Sequence, residues 1–225
     1  FDPEIFNLYG DNLALAEYYQ IQKGEVQSLH RWLDETWHAQ EIDVRTSRIH
    51  RQIVDLDFPI IYTTNYDRWI ERAYEAGGKR ISRITNVADL SKTDSSDPYI
   101  VKFHGDFDDD ESLVLTESSY YERLSFESPL DIKLWADSLA RPLLFIGYSL
   151  TDINLRYLLY KLDKQWQVSN LARTRPKSYI FLTSPNPVQE VILKRRGIEA
   201  IVSDEDDPGE GLSRFLEDLL AQCRT

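Results

Sequence analysis

The chain has 225 residues, 42% of them hydrophobic, which is enough for one sizeable α/β domain with its own core. A net charge of −12, concentrated in the runs DFDDDE (106–111) and SDEDDP (203–208), makes an acidic surface that repels phosphate backbones, so direct nucleic-acid binding is not expected. No apolar run approaches the roughly 18 residues of a membrane span and no signal-peptide pattern opens the chain; Cys223 alone cannot form an internal disulfide or a cysteine zinc cluster, and a cytoplasmic protein is expected.

Residues 1–56 read as a helical segment. Apolar residues recur at three- and four-residue steps in 12–22 and 26–40, and again through Ile49, Ile53 and Val54 in 46–56. Tyr18, Tyr19, Trp32 and Trp37 fall at helical spacing and are expected in a core or an interface. From Pro59 the pattern alternates. A strand through Thr63 leads to a helix over 67–76, with Asp67 as a candidate N-cap and Gly77-Gly78 as its stop. The polar stretch 91–98 reads as an exposed loop, and a strand over 99–103 follows it. DFDDDE lacks the ligand spacing of a calcium loop and reads as a solvated hairpin or loop. Thr116 and Ser128 are candidate caps of two short helices, the second with Pro129 at its first position.

A strand over 142–146 precedes a helix capped by Thr151 or Asp152, which aligns Leu155, Leu158, Leu159, Leu162 and Trp166 on one face. The unit then repeats: strand 178–182, a helix opened by Asn186-Pro187 and closed by Gly197, and strand 198–202. A last helix carries Leu212, Phe215, Leu216 and Leu219. Lys194, Arg195 and Arg196 suit a solvated helix end, where cations complement the dipole. Five strands separated by helices predict an α/β fold: a Rossmann-like parallel sheet with helices on both faces, over 57–225, preceded by the helical region 1–56.

Three of these strands end on polar, reactive residues: IIYTTNYD (60–67), YIVKFHGD (99–106) and PLLFIGYSLTD (142–152). In open α/β sheets ligands bind at the carboxyl ends of strands, so Asn65, Asp67, His104, Gly147 and Ser149 are expected around one crevice. An imidazole such as His104 accepts a proton near neutral pH. Asp67 is suited equally to a helix cap and to stabilising a cation. Gly147 admits a close backbone approach, and the Ser149 hydroxyl can bind phosphate. His30, His38 and His50 show no metal-ligand spacing.

The order Thr-x-Asn-x-Asp, then His-Gly, then Gly-x-Ser, each after an apolar strand, resembles the NAD-binding core of the sirtuin superfamily. The form TTNYD, HGD and FIGYSLTD is similar to its bacterial Sir2-like branch of NAD-consuming defence effectors. The resemblance covers about residues 58 to 205. It implies that Asn65 orients water and the nicotinamide ribose, that His104 accepts a proton, and that Asp67 is a third catalytic candidate. Thr63, Thr64, Gly147, Tyr148 and Ser149 would contact the cofactor, with Thr183 and Ser184 facing the adenosine ribose.

Two departures from that family pattern matter. Sirtuin-like domains open on a strand followed by a Gly-rich phosphate turn, and nothing in 1–56 matches it. The chain also has no Met and begins Phe-Asp-Pro, so the expectation is that the Gly-rich strand lies upstream, or that modified methionines are absent from the chain as written. The second departure is that one cysteine cannot build the four-cysteine zinc module of deacylating sirtuins. The resemblance therefore implies NAD⁺ glycohydrolysis to nicotinamide and ADP-ribose in anti-phage defence, with NAD⁺ as substrate and no metal. It also implies gating by homo-oligomerisation, by a HerA-type ATPase, by a short Argonaute or by a fused sensor domain. A catalytically silent NAD⁺ or ADP-ribose sensor is the alternative.

Overall fold

The computed structural model describes residues 11–39, 42–92, 97–123, 128–148, 153–168 and 175–223. The chain divides into two compact units, residues 1–130 and 131–225. Among the described residues no helix is long and apolar enough to cross a membrane.

The first unit opens with helices α1 (Asn12–Lys23) and α2 (Gln27–Trp37), a 3₁₀ turn (Val44–Thr46) and α3 (Arg48–Leu56). Asp11 caps α1 by accepting the Ala14 N–H at 2.8 Å, and Gly24 ends it in the left-handed region at φ +74°. Strand β1 (Ile60–Thr63), helix α4 (Trp69–Ala76), strand β2 (Ser82–Ile84), helix α5 (Val87–Lys92) and strand β3 (Tyr99–Lys102) follow. The strands pair in parallel in the order β1-β3-β2, with Ile60 opposite Tyr99 and Ser82 opposite the same residue. Both β2 and α5 are additional to the elements expected from the sequence.

Strand alternation gives this sheet two packed faces. Ile61 joins Val54 of α3 and Ala73 and Tyr74 of α4 on one side. Its neighbour Tyr62 points the other way, into a cluster of Ile84, Val101 and Leu130. A 3₁₀ turn (Asp110–Ser112), helix α6 (Glu117–Arg123) and the start of α7 (Pro129–Ala140) complete the unit. Thr116 caps α6, its hydroxyl accepting the Ser119 N–H at 3.3 Å.

The second unit holds β4 (Leu144–Phe145), α8 (Ile153–Val168), β5 (Ser178–Leu182), α9 (Pro187–Arg195), β6 (Ile198–Val202) and α10 (Pro208–Cys223). Its strands are parallel in the order β4-β5-β6. Phe145, Leu159, Ile180, Leu182, Leu193 and Ile198 form its core, each fully buried aliphatic stabilising by about 1.5–3 kcal/mol. Leu159, Leu162 and Trp166 of the expected α8 face are buried; the side chain of Leu155, and Thr151 and Asp152, lie outside the described residues. Asn186 caps α9 by accepting the Gln189 N–H at 3.1 Å, with Pro187 at the first helical position. The class is the expected Rossmann-like α/β arrangement of parallel strands flanked by helices, hydrogen-bonded as two three-stranded sheets.

Candidate active site

Parallel pairing of β1 with β3 aligns their carboxyl ends, and the ladder continues one step beyond them through the Phe103 N–H to Thr63 carbonyl bond of 2.9 Å. The chain leaving β1 turns at once: the Thr63 hydroxyl accepts the Asn65 N–H at 3.1 Å, a local serine/threonine turn. Asn65 is exposed, whereas Thr63, Thr64 and Asp67 are half-buried. Asp67 Oδ1 accepts the Trp69 N–H at 3.1 Å and so satisfies an orphan donor at the start of α4. The preceding orphan, the Arg68 N–H, donates to His38 Nε2 at 2.9 Å. That bond puts the His38 proton on Nδ1, which donates to Asp34 Oδ1 at 2.6 Å.

The chain leaving β3 delivers His104, only 9% exposed. Its ring stands 6.3 Å from Tyr66 and makes an edge contact with Tyr120 at 5.6 Å, centroid to centroid. Tyr66 in turn stacks on Trp37 and donates its hydroxyl to the Val114 carbonyl; burial raises its phenol above the ordinary tyrosine range. Gly105 lies at φ +86°, and a Cβ there would stand 2.2 Å from the Ser112 carbonyl oxygen, so only glycine lets the 106–112 loop close beneath the histidine. The structure thus brings Thr63, Thr64, Asn65, Asp67 and His104 to the neighbouring ends of two paired strands.

The solvated hairpin or loop expected of DFDDDE holds for Asp108, Asp110 and Glu111, which are exposed, but not for its first two residues. An Asp106–Asp109 bridge makes its turn, but Asp106 and Phe107 are buried. Asp106 accepts Lys102 Nζ at 2.5 Å and Arg83 Nη1 at 3.0 Å, and Lys102 is wholly buried. Asp108 accepts Arg83 at 2.6 Å and Arg68 at 2.5 Å, and Arg68 also reaches Asp34 at 2.6 Å. The Arg83 hydrogen bond holds the Asp108 carboxyl below its ordinary range against some burial, with Arg68, Arg83 and Lys102 adding to it. The pairing matters most at Asp106, which is wholly buried, because buried carboxylates persist only when paired.

Sequence reasoning did not anticipate Lys102, Arg83, Glu71 or His50 at this site. A lysine ending an apolar strand, four residues before an aspartate, was the available signal for the first. His50 has no local signal: burial pushes its imidazole below the ordinary value while the Asp67 carboxylate opposes that shift, a neighbour supplied by α3. Trp37, expected in a core or interface, stacks on Tyr66 but is itself exposed, as are Tyr18 and Trp32, so none of the three is a core residue. Among the described residues no group of three or more His, Cys, Asp or Glu could hold a metal ion.

In the second unit, Gly147 and Tyr148 follow β4 and Thr183 and Ser184 follow the adjacent β5, all at carboxyl ends. Gly147 is exposed at φ +73° with open space around it. Tyr148 packs edge-on against Phe145, and Thr183 and Ser184 are exposed. Ser149 lies outside the described residues.

A family profile for the SIR2-like domain matches residues 59–201, the stretch that runs from β1 to β6 and carries every one of these strand ends. The chain belongs to the SIR2-like domain family. It is 32% identical to the NAD(+) hydrolase ThsA of Enterococcus faecium over 159 residues, 69% of this chain and 32% of that protein. The NAD(+) hydrolase ThsA of Bacillus cereus (strain MSX-D12) is 31% identical over 167 residues, 72% of this chain and 34% of that one. The Defense-associated sirtuin 2 of Bacillus subtilis is 31% identical over 159 residues, 68% of this chain and 15% of that protein. The SIR2-like chain therefore spans about a third of the ThsA relatives and less of the larger sirtuin.

Proposed function

We propose that this SIR2-like domain hydrolyses NAD⁺ to nicotinamide and ADP-ribose as the effector of a bacterial anti-phage system. The observation that carries the proposal is the convergence of the Asn65–Asp67 turn and His104 at the ends of β1 and β3. The names of the ThsA relatives support the same substrate. In the proposed reaction the bond from ribose C1′ to the nicotinamide nitrogen breaks, and its electron pair leaves with neutral nicotinamide. Positive charge then develops on the ribose ring, where the Asp67 carboxylate stabilises it electrostatically. The Asn65 amide orients a water whose oxygen bonds to C1′, and His104 accepts its proton.

Thr63 and Thr64 at the first site, with Gly147, Tyr148, Ser149, Thr183 and Ser184, are proposed to hold the ribose and phosphates. The helical segment 1–56 is proposed as part of the Sir2-like domain, ahead of its Rossmann-like NAD-binding core over 57–225. Free hydrolysis of NAD⁺ is lethal to a host, so activity is proposed to be gated, through self-assembly or a partner such as a HerA-type ATPase, a short Argonaute or a fused sensor. A cytoplasmic location is proposed, since that is where a pool of NAD⁺ would be met.

The test is nicotinamide release from NAD⁺ by the intact protein, alone and with the product of its genomic neighbour, quantified by chromatography. Release that disappears in folded His104→Ala and Asn65→Ala variants is the expected result. Undiminished release in His104→Ala removes that residue from the reaction. No release from wild type, with NAD⁺ or ADP-ribose still bound, points to a sensor and overturns the hydrolase.

A further inference from the structure

Lysine is poorly suited to a parallel strand buried on both faces, because its ammonium loses hydration there. At Lys102 that loss is offset by four oxygens: the carbonyls of Tyr66 and Asp67 at 3.0 and 2.5 Å, Glu71 Oε1 at 3.1 Å and Asp106 Oδ2 at 2.5 Å. An ammonium has three N–H bonds, so these four acceptors engage all of them and leave none over for a ligand. Its location is also electrostatically adverse. The two carbonyls lie just before α4, where the helix dipole disfavours a cation. Glu71 in the first turn of α4 and the buried Asp106 reverse the local sign. Asp106 is itself held by Arg83 and by the Asp108 N–H at 2.9 Å.

We propose that Lys102 is a positioning residue: its ammonium clamps the backbone of the 65–68 turn to β3 and thereby fixes Asn65 and Asp67 relative to His104. The catalytic part of this role rests on the hydrolase proposal; the clamp does not. Lys102 and His104 lie two residues apart on one segment, so the clamp ties the β1 turn directly to the segment that carries the proton acceptor. A lysine doing no more than filling space would not need two carbonyls of the opposite turn.

The test uses the intact protein with Lys102→Met, and with Lys102→Met combined with Glu71→Gln. The double variant removes the cation while neutralising Glu71 and leaving Asp106 to Arg83, so it remains interpretable if the single variant fails to fold. Two measurements are made: amide hydrogen exchange across 64–69, and the separate kcat and KM for NAD⁺. The expected result is exchange in 64–69 faster by about tenfold or more, with 178–202 unchanged. With it, kcat should fall by about a hundredfold while KM moves by less than about threefold, since a misplacement near 1 Å is enough for that loss. Unchanged exchange in a folded double variant overturns the clamp. Faster exchange with wild-type kcat overturns the positioning role. If wild type releases no nicotinamide, the hydrolase proposal fails, and the clamp is judged on exchange alone.

Discussion

Replacing Gly105 by alanine separates close packing from backbone strain. At φ +86° an L-residue is disfavoured by roughly 1–2 kcal/mol wherever it occurs. The added Cβ would also stand 2.2 Å from the Ser112 carbonyl oxygen and 2.5 Å from its hydroxyl. That hydroxyl accepts the Asp106 N–H at 3.1 Å and donates to the Asp109 carbonyl at 2.7 Å, so the loop cannot yield without loosening Asp106. Such overpacking adds about 1–3 kcal/mol, for a total loss of roughly 2–5 kcal/mol in Gly105→Ala. Gly78 supplies the control within the same unit: it lies at φ +69° with nothing within 4 Å of its Cβ position. Gly78→Ala should therefore lose only the strain, roughly 1–2 kcal/mol. Urea unfolding followed by the fluorescence of Trp69 and the other tryptophans, extrapolated at constant slope, gives both numbers. Equal losses in the two variants would refute the packing argument and leave Gly105 a turn residue only.

Asp108 should show its worth in a pH-dependent way. Its carboxyl is held low chiefly by the Arg83 hydrogen bond, so its contribution is complete above the unfolded value of about 3.9 and is lost as pH falls through the lower native value. Asp108→Asn should be less stable than wild type at pH 6 and equal to it in acid below that window; a deficit that persists there contradicts the assignment. The His50 imidazole is depressed by burial and raised by Asp67, so its stabilisation is present above about pH 6.5 and is lost as pH falls toward its native value. Asp67→Asn should lower the His50 pKa further, read from its ring-proton shifts by NMR, while its amide oxygen can still accept the Trp69 N–H and so leave α4 little changed. An unchanged His50 titration would show that the two groups do not interact.

Elements whose ends are written locally were legible in the sequence. Asn186-Pro187 and Gly197 bracket α9, Thr116 opens α6, and the apolar runs 60–63, 99–102, 178–182 and 198–202 are strands within a residue or two of their expected limits. Strand β2 was not legible, since three residues with an arginine at their centre show no alternation, and they form a strand only because β3 lies beside them. For the site, residues were read correctly as strand ends wherever the signal was an apolar run stopping at a polar turn. Charges were misread wherever their partners came from distant segments. Asp106 looked like one more acid in a solvated run, but Arg83 lies 23 residues away in sequence and Glu71 reaches Lys102 from 31 away.

That misreading shows how the strand ends are built. A turn of polar residues beside a reactive histidine gains little rigidity from its own short hydrogen bonds, because water competes for them when they are exposed. Buried charges hold better, since removing either partner leaves an unpaired ion in low dielectric. The arrangement here divides the work accordingly. Asn65 stays exposed, with its side chain accessible to solvent, while the backbone on either side is fixed from below by Thr63, by Asp67 at the helix start and by the Lys102 ammonium. The chain Asp34, Arg68, Asp108, Arg83, Asp106, Lys102, Glu71 alternates sign from α2 to α4, so no member is buried without an opposite neighbour. Trp37 of α2 stacks on Tyr66 and His38, the residue that ends the helix, accepts the Arg68 N–H, so α2 packs directly against the 65–68 turn.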